Sequence, residues 1–234
     1  MRKQALTTIG FDADDTLWQN EHFYQVTQSR FAGLLSAYVE PDTLAAQLLA
    51  TERRNLGQYG FGIKGFTLSM IETAIAVTDG TVPASVIAEI LAAGRDMLAH
   101  PVETLPHVRE TLEALAGTYR LVMITKGDLF DQERKLAESG LADLFEAVEI
   151  VSDKDVGTYE RIFRAHGDGP ARAMMVGNSL KSDIVPAIAA GSWGVYIPHD
   201  LNWVLEHAEE PTESPRYRRL AHLGELAALI DAVG

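Results

Sequence analysis

The chain has 234 residues, enough for one large domain or for a domain with an insert, and 47% of them are hydrophobic. Its 33 acidic and 20 basic residues give a net charge of −13, which disfavours binding to nucleic acid or to an anionic membrane surface. It has no cysteine, which excludes disulfides, thiolate catalysis and zinc–sulfur sites within it. The N-terminus lacks the pattern of a signal peptide and no apolar run is as long as a membrane helix, so we expect a cytoplasmic protein.

Short apolar runs alternate with segments of helical periodicity along most of the chain. Leu105, Val108, Leu112 and Leu115, for example, recur at the spacing of one helix face. This alternation predicts an α/β fold, a Rossmann-like doubly wound parallel sheet with helices on both faces. The predicted strands are residues 7–11, 120–124, 147–151, 173–176 and 193–197. An acidic, proline-bearing stretch at 209–219 is predicted to be a loose surface loop.

Residues 18–100 interrupt this alternation. They contain several segments of helical periodicity and no convincing strand, which predicts an all-helical insert directly after the first strand. We therefore divide the chain into a discontinuous core domain, residues 1–17 and 101–234, and a helical domain, residues 18–100. The position of the insert predicts a cap over the crevice at the strand ends, and an independent helical bundle is the alternative.

The segment IGFDADDTLW, residues 9–18, places Asp12, Asp14 and Asp15 at the end of the first predicted strand. Three carboxylates there repel one another and lose hydration, and a divalent cation that prefers oxygen ligands, such as Mg²⁺, would compensate them. Because side chains alternate along a strand, Asp12 and Asp14 should point the same way, which suits a nucleophile and a general acid acting on one substrate. The alternative is an acidic N-cap of the helix that follows.

This segment resembles the first motif of the haloacid dehalogenase superfamily, an apolar strand followed by D-x-D-x-T, which residues 12–16 match in full. The resemblance implies that Asp12 is the nucleophile and Asp14 the general acid/base. It also implies that Asp12 and the backbone carbonyl of Asp14 bind Mg²⁺. It extends over nearly the whole chain, with residues 18–100 similar to the helical, type 1 cap of the superfamily.

Two further motifs of the superfamily follow in order. The second is a strand ending in Ser or Thr, and LVMITKG offers Thr125, whose hydroxyl would bind the phosphoryl oxygens with its neighbours Lys126 and Gly127. The third is a lysine that neutralises the nucleophile and the phosphoryl charge, and VSDKDVG supplies Lys154 as a catalytic and substrate-binding residue. Lys126 competes for this role because it follows Thr125 directly. Asp155 stands after Lys154 where family members often have proline.

The fourth motif, G-D-x-x-x-x-D, is matched by Gly177, Asn178 and Asp183 with asparagine in place of the first acid. An asparagine carbonyl can bind Mg²⁺ without contributing charge, so the resemblance implies a metal site of Asp12, Asp14, Asn178 and Asp183. Asn178 or Ser179 could also cap the helix that follows. The substitution at Asn178 supports a rival as well, because dehalogenases of the superfamily have an asparagine in this region and need no metal.

The resemblance leaves several reactions open. The first is a Mg²⁺-dependent phosphatase that forms an aspartyl-phosphate at Asp12 and uses Asp14 to protonate the leaving alcohol. The second is a 2-haloacid dehalogenase, which needs no acid at position 14 because halide leaves unprotonated. Asp14 therefore favours phosphoryl chemistry. A phosphomutase is a variant of the first reaction, and a non-catalytic binding protein is a further alternative.

The substrate is less well determined than the reaction. A type 1 cap closes over small soluble compounds, so we expect a small phosphorylated metabolite and no nucleic acid or membrane partner. The expected assembly is a monomer or a homodimer. Candidate substrate contacts in the helical insert are Arg53, Arg54, Tyr59, Lys64 and Glu72.

Overall fold

The computed structural model describes residues 5–201 and 203–233. Within them lies a six-stranded sheet in the order β3-β2-β1-β4-β5-β6, in which all neighbouring strands are parallel. The strands are β1 (Thr8–Phe11), β2 (Arg120–Lys126), β3 (Ala147–Val151), β4 (Ala173–Gly177), β5 (Trp193–Tyr196) and β6 (Tyr217–Arg219). The prediction of a doubly wound parallel α/β fold is confirmed, and all five predicted strands are present.

Helices cover both faces of this sheet. They are α5 (Val108–Leu115), α6 (Leu129–Ser139), α7 (Val156–Ala165), α8 (Val185–Ala189) and α9 (Leu226–Val233). Alternate side chains of β2 enter two different hydrophobic clusters, Leu121 and Met123 in one and Val122 and Ile124 in the other. This period of two is what a strand buried on both faces requires.

The central strand approaches one helical layer closely at Gly10. A Cβ atom at this position would lie 2.8 Å from Cδ1 of Ile124 and 3.2 Å from Cζ of Phe163 in α7. Only glycine therefore fits here without displacing its neighbours. The packing holds β1, and with it the acids at its carboxyl end, firmly in the middle of the sheet.

The expectation of a loose loop over 209–219 is wrong at its C-terminal end. Tyr217–Arg219 forms β6, a short edge strand paired with β5. Tyr217, the first residue of β6, is buried. The guanidinium of Arg218 lies 4.8 Å from the ring centre of Trp193. A three-residue strand has no period that sequence patterning can detect, and its pairing depends on contact with β5.

The chain forms two compact units. Of the described residues, one unit contains 5–21, 102–126, 132–201 and 203–233, and the other contains 22–101 together with 127–131. The second unit holds four helices, which are α1 (Glu21–Leu35), α2 (Pro41–Tyr59), α3 (Ile63–Val77) and α4 (Ala84–Leu98), and its described residues include no strand. Its core is apolar, with Phe31, Leu48, Phe66, Met70 and Ile90 among the buried side chains. Among the described residues, no helix combines the length and the apolar character needed to cross a bilayer.

One buried carboxyl group stands out in the helical unit. Glu52 of α2 is only 9% exposed, and burial raises its pKa from 4.5 to about 7. The folded protein therefore binds this proton more tightly than the unfolded chain. Stability from this group is complete below about pH 4.5 and is lost as the pH rises through 7.

We expect Glu52→Gln to stabilise the protein above neutral pH. The amide keeps the shape of the neutral acid and removes the cost of ionising a buried group. That cost is up to about 3 kcal/mol for a pKa difference of this size. Thermal unfolding should show a higher Tm for the variant at pH 8 and nearly equal values at pH 4.5. Glu89→Gln, at an exposed position of α4, should show no such pH-dependent difference. An equal Tm for Glu52→Gln and wild type at both pH values would contradict the proposed burial cost.

Candidate active site

The predicted site residues meet at one edge of the sheet. Asp12 directly follows β1, Thr125 lies near the end of β2, and Asn178 directly follows β4. The carboxyl ends of parallel strands share one edge, and the chain order reverses between β1 and β4, where α/β folds commonly bind ligands. The backbone N–H of Asp12 extends this pairing by donating to the carbonyl of Val176 at 2.9 Å.

A buried lysine joins two of the predicted acids. The Nζ atom of Lys154 lies 2.5 Å from Oδ1 of Asp12 and 2.7 Å from Oδ1 of Asp183. The side chains are 2% exposed for Lys154, 10% for Asp12 and 1% for Asp183. The structure thus brings Lys154, rather than Lys126, to the proposed nucleophile. One ammonium group between two carboxylates leaves a net negative charge in a site from which water is largely excluded.

Burial and the nearby charges change the pKa values of Asp12 and Lys154. Burial, together with the carboxylate of Asp183, raises the pKa of Asp12 to about 7, although Lys154 acts in the opposite direction. Burial acts to lower the pKa of Lys154, but its two carboxylate partners hold it above its ordinary value. Lys154 is therefore charged at neutral pH. Asp12 needs a further positive charge to be fully ionised there.

The fourth motif positions Asp183 toward the lysine. Its second oxygen, Oδ2, accepts the backbone N–H of Ser179 at 2.9 Å. A Cβ atom on Gly177 would lie 2.2 Å from this oxygen, so glycine is required there for the carboxylate to fit. Both oxygens of Asp183 thus have partners within the protein. A direct bond from Asp183 to a metal would require one of these partners to be given up, and its role as a metal ligand stays a prediction.

Asn178 lies on the other side of Asp12. The amide group at its tip is 3.2 Å from Oδ2 of Asp12 and 3.2 Å from the backbone carbonyl oxygen of Asp14. Thr16 supports this arrangement, since its hydroxyl donates to Oδ2 of Asp12 at 3.2 Å and accepts the backbone N–H of Asn178 at 3.1 Å. The cap of the short helical segment Leu180–Ile184, which precedes α8, is Ser179, whose hydroxyl accepts the N–H of Ser182 at 3.0 Å. Asn178 is therefore available to the site rather than to the helix.

The orientation of the Asn178 amide determines what this group of atoms can bind. With nitrogen toward the acids, the amide donates to Asp12 and to the carbonyl of Asp14. With oxygen there, the amide oxygen lies 3.2 Å from both Oδ2 of Asp12 and the backbone carbonyl oxygen of Asp14. The described residues contain no cluster of three or more His, Asp or Glu side chains arranged for a metal. A carboxylate, an amide oxygen and a backbone carbonyl nevertheless fit Mg²⁺, which keeps waters as its other ligands.

Asp14 is held by three donors. Its Oδ1 accepts the indole N–H of Trp18 at 2.8 Å and Nζ of Lys135 at 2.6 Å. Its Oδ2 accepts Nε2 of Gln132 at 2.9 Å. Lys135 and Gln132 are buried, and both belong to α6. Neither residue was predicted as part of the site, because charged and polar side chains on a helix usually face solvent.

The predicted phosphoryl-binding residues have different surroundings. Thr125 is buried, and its hydroxyl donates to the carbonyl of Lys126 at 3.2 Å. Nζ of Lys126 lies 2.8 Å from Oε1 of Glu206 and 2.7 Å from Oγ of Ser182. Lys126 is thus engaged by protein groups, and its binding of substrate stays a prediction. Gly127, with φ of 137°, begins the segment 127–131 of the helical unit.

Glu206 is a third residue that the sequence did not predict. Besides Lys126, it accepts hydrogen bonds at Oε2 from the hydroxyls of Ser179, at 2.6 Å, and Ser182. The ion pair with Lys126 and these hydroxyls lower its pKa although burial acts in the opposite direction. Glu206 therefore fastens the loop after β5 to the fourth motif. No motif marks it, because its partners are 24 to 80 residues away in the chain.

The candidate substrate contacts of the helical unit are mostly paired within it. Arg54 and Tyr59 both bind the carboxylate of Glu72, at 2.9 and 3.1 Å. Lys64 binds both oxygens of Asp128 at 2.9 Å. Arg53 is exposed. Their contact with a substrate stays a prediction.

The family model and the similar structures agree on one family of hydrolases. A family model described as haloacid dehalogenase-like hydrolase matches residues 6–191. The structure of a haloacid dehalogenase-like family hydrolase from Xanthomonas campestris is 44% identical, with a TM-score of 0.87 and coverage of 100% of this chain and 94% of that one. The glyceraldehyde 3-phosphate phosphatase of Methanothermobacter thermautotrophicus is 25% identical over 210 residues, 84% of this chain and 87% of the relative. An L-2-haloacid dehalogenase from Xanthobacter autotrophicus, with chloropropionic acid covalently bound, shares the fold at 17% identity, with a TM-score of 0.68 and coverage of 98% and 100%.

Proposed function

Because the chain belongs to the haloacid dehalogenase-like hydrolases, we propose that it is a Mg²⁺-dependent phosphatase of a small phosphorylated metabolite, with Asp12 as nucleophile. One observation carries this choice of reaction: Asp14 is an acid, and three donors hold its carboxylate in a defined orientation. An alcohol leaving group needs a proton, whereas a halide does not, so an acid at this position has a use only in phosphoryl transfer. The relative named as a glyceraldehyde 3-phosphate phosphatase supports the same reaction and a small substrate.

The proposed reaction has two steps. In the first, a carboxylate oxygen of Asp12 bonds to phosphorus, the bond from phosphorus to the ester oxygen breaks, and the leaving oxygen takes a proton from Asp14. In the second, the carboxylate of Asp14 takes a proton from water, whose oxygen attacks the phosphorus of the aspartyl-phosphate. Inorganic phosphate leaves and Asp12 is restored. Lys154 offsets the negative charge around Asp12, and the Thr125 hydroxyl binds the phosphoryl oxygens.

The proposed Mg²⁺ would be held by Asp12, the backbone carbonyl of Asp14 and the amide oxygen of Asn178. When bound, it supplies positive charge that ionises the nucleophile and offsets the charge of the phosphoryl group. This matches the need for a further positive charge that the raised pKa of Asp12 indicates. With Asn178 neutral and Asp183 engaged by Lys154 and Ser179, Asp12 is the one carboxylate of this proposed set, which suits a cation that also binds the substrate phosphate.

The experiment that tests the function is phosphate release from 4-nitrophenyl phosphate and from a panel of phosphorylated metabolites. We expect turnover with Mg²⁺ and none with EDTA. Turnover that persists in EDTA would contradict the metal requirement. Chloride release from 2-chloropropionate without phosphate release would instead show the dehalogenase reaction.

We expect Asn178→Asp to tighten Mg²⁺ binding roughly tenfold while phosphatase activity is kept. The new carboxylate would lie close to Oδ2 of Asp12, so without metal the two charges repel each other and the Tm in EDTA should fall. Added Mg²⁺ should restore the Tm and raise it more than in wild type. Thermal unfolding and calorimetric titration with Mg²⁺, both without substrate, measure these changes.

Asn55→Asp is the matched control for this prediction. Asn55 is buried in α2 of the helical unit and donates to the hydroxyl of Ser69 at 3.1 Å. The substitution adds the same buried charge away from the proposed metal ligands. Its Tm should fall, and Mg²⁺ should raise it by no more than it raises the Tm of wild type. If Asn178→Asp behaves in the same way as this control, Asn178 does not face the metal.

A further inference from the structure

We propose that Lys135 and Gln132 are positioning residues that hold the Asp14 carboxylate for proton transfer to the leaving oxygen and from water. This inference rests on the proposed phosphatase function and adds two residues to it that no sequence motif contains. Both lie three residues apart on α6, which places them on one face of the helix. That face contacts the loop after β1, where Asp14 lies.

Lys135 and Gln132 bind different oxygen atoms of the Asp14 carboxylate. Lys135 contacts Oδ1 at 2.6 Å and shares this oxygen with the indole of Trp18, while Gln132 contacts Oδ2 at 2.9 Å. A carboxylate oxygen accepts about two hydrogen bonds. Oδ1 is therefore saturated, and Oδ2 has one position left. The geometry points to Oδ2 as the atom that gives a proton to the leaving oxygen and later takes one from water.

The side chains of Lys135 and Gln132 are both buried, as expected for residues with a defined contact to Asp14. Lys135 is 7% exposed and Gln132 is 2% exposed, whereas Glu133 and Glu138 of the same helix are exposed. Removing a lysine from water is costly unless its charge is paired, and Asp14 is the acid that its Nζ contacts at 2.6 Å. An exposed ion pair would contribute little, but this one holds both side chains in one geometry.

Gln132 also connects Asp14 to the end of β2. Its Nε2 has two hydrogens, and the second is donated to the backbone carbonyl of Lys126 at 2.7 Å. Thr125, the proposed phosphoryl contact, is the preceding residue of the same strand. The amide thus sets the position of the acid relative to the strand that binds the phosphoryl group. Small errors in such positions reduce catalysis strongly.

The test compares two leaving groups. The kcat/KM value reports on the steps up to and including cleavage of the ester bond. Hydrolysis of the aspartyl-phosphate, which is the same for every substrate, comes afterwards and does not affect it. An alkyl phosphate such as glycerol phosphate needs a proton on its leaving oxygen, whereas the nitrophenolate of 4-nitrophenyl phosphate leaves readily without one. A group that positions the acid should therefore affect the alkyl phosphate far more.

For Lys135→Met and for Gln132→Met, measured separately, we expect kcat/KM to fall roughly 100-fold for glycerol phosphate and less than about fivefold for 4-nitrophenyl phosphate. Glu138→Gln, at an exposed position of α6 that pairs with Arg134, should leave both values unchanged. Equal losses on both substrates would show a merely structural role and overturn the proposal, and so would no loss on either. Gln132→Met decides the question if Lys135→Met does not fold. Wild-type protein that releases phosphate from neither ester, nor from other phosphomonoesters, would refute the proposed function itself.

Discussion

Asp12→Asn should abolish phosphate release, with a fall in kcat of at least about 10³-fold. The amide keeps the volume of the side chain but has no anionic oxygen to attack phosphorus. The two carboxylates proposed to act beside it are already engaged. Both oxygens of Asp183 are bound by Lys154 and the backbone of Ser179, and three donors hold Asp14. Steady-state phosphate release and acid-quench trapping of a phosphorylated protein measure the effect. Wild type should accumulate label at Asp12 and the variant should not.

The fold should survive this change. Burial raises the pKa of Asp12 to about 7, so the folded protein already tolerates a neutral group at this position near neutral pH. Lys154 keeps its second partner, Asp183, at 2.7 Å. The Tm in EDTA should therefore stay within a few degrees of wild type. An active Asp12→Asn variant would refute the nucleophile, whereas an unfolded one would show that the lysine needs both acids.

Lys154→Met should damage both stability and catalysis. It leaves two buried carboxylates, Asp12 and Asp183, without the cation that lies between them. Removing one member of a buried charge cluster typically lowers the free energy of unfolding by about 3–5 kcal/mol. We also expect kcat to fall roughly 10²- to 10³-fold, because the charge near the phosphoryl group is lost.

The pH dependence gives this second prediction a specific signature. Lys154 acts to lower the pKa of Asp12, so its loss should raise that pKa further above 7. A carboxyl group with a raised pKa in the folded state costs stability as the pH rises toward that value. The Tm of the variant should therefore fall more steeply than that of wild type between pH 6 and pH 9. Lys181→Met, which removes a more exposed lysine that donates to the carbonyl of Leu205, should follow wild type. Parallel curves for Lys154→Met and wild type would contradict the charge cluster.

Local sequence patterns were sufficient to predict the strands of the sheet and which residues follow them. The alternation of apolar runs with helical periodicity is a property of neighbouring residues, and it predicted five of the six described strands, β1 to β5. Asp12 and Asn178 directly follow β1 and β4, so a parallel sheet was enough to predict that they meet. β6 was missed because a three-residue edge strand depends on its partner.

Lys126 and Lys154 illustrate what local sequence patterns do not provide, which is the contacts that each side chain makes in the folded protein. Each follows a strand closely, and the sequence presents both as candidates for the same role. Side chains alternate along β2, so Thr125 and Lys126 point in different directions, and Lys126 pairs with Glu206. Lys154 comes from the loop after β3 and contacts Asp12. The motif order favours Lys154, and the assembled sheet shows that Lys154 is the lysine that contacts Asp12.

By itself, the sequence determined the fold class, the family resemblance and the residue types at the strand ends, because these depend on short-range periodicity and on motif spacing. The tertiary structure decided how each carboxylate is held. Asp14 receives its donors from Gln132 and Lys135, 118 and 121 residues away, and Asp183 is directed to Lys154. No local pattern records such pairs, because a buried polar side chain and a solvated one look alike in sequence until the chain folds and removes one of them from water.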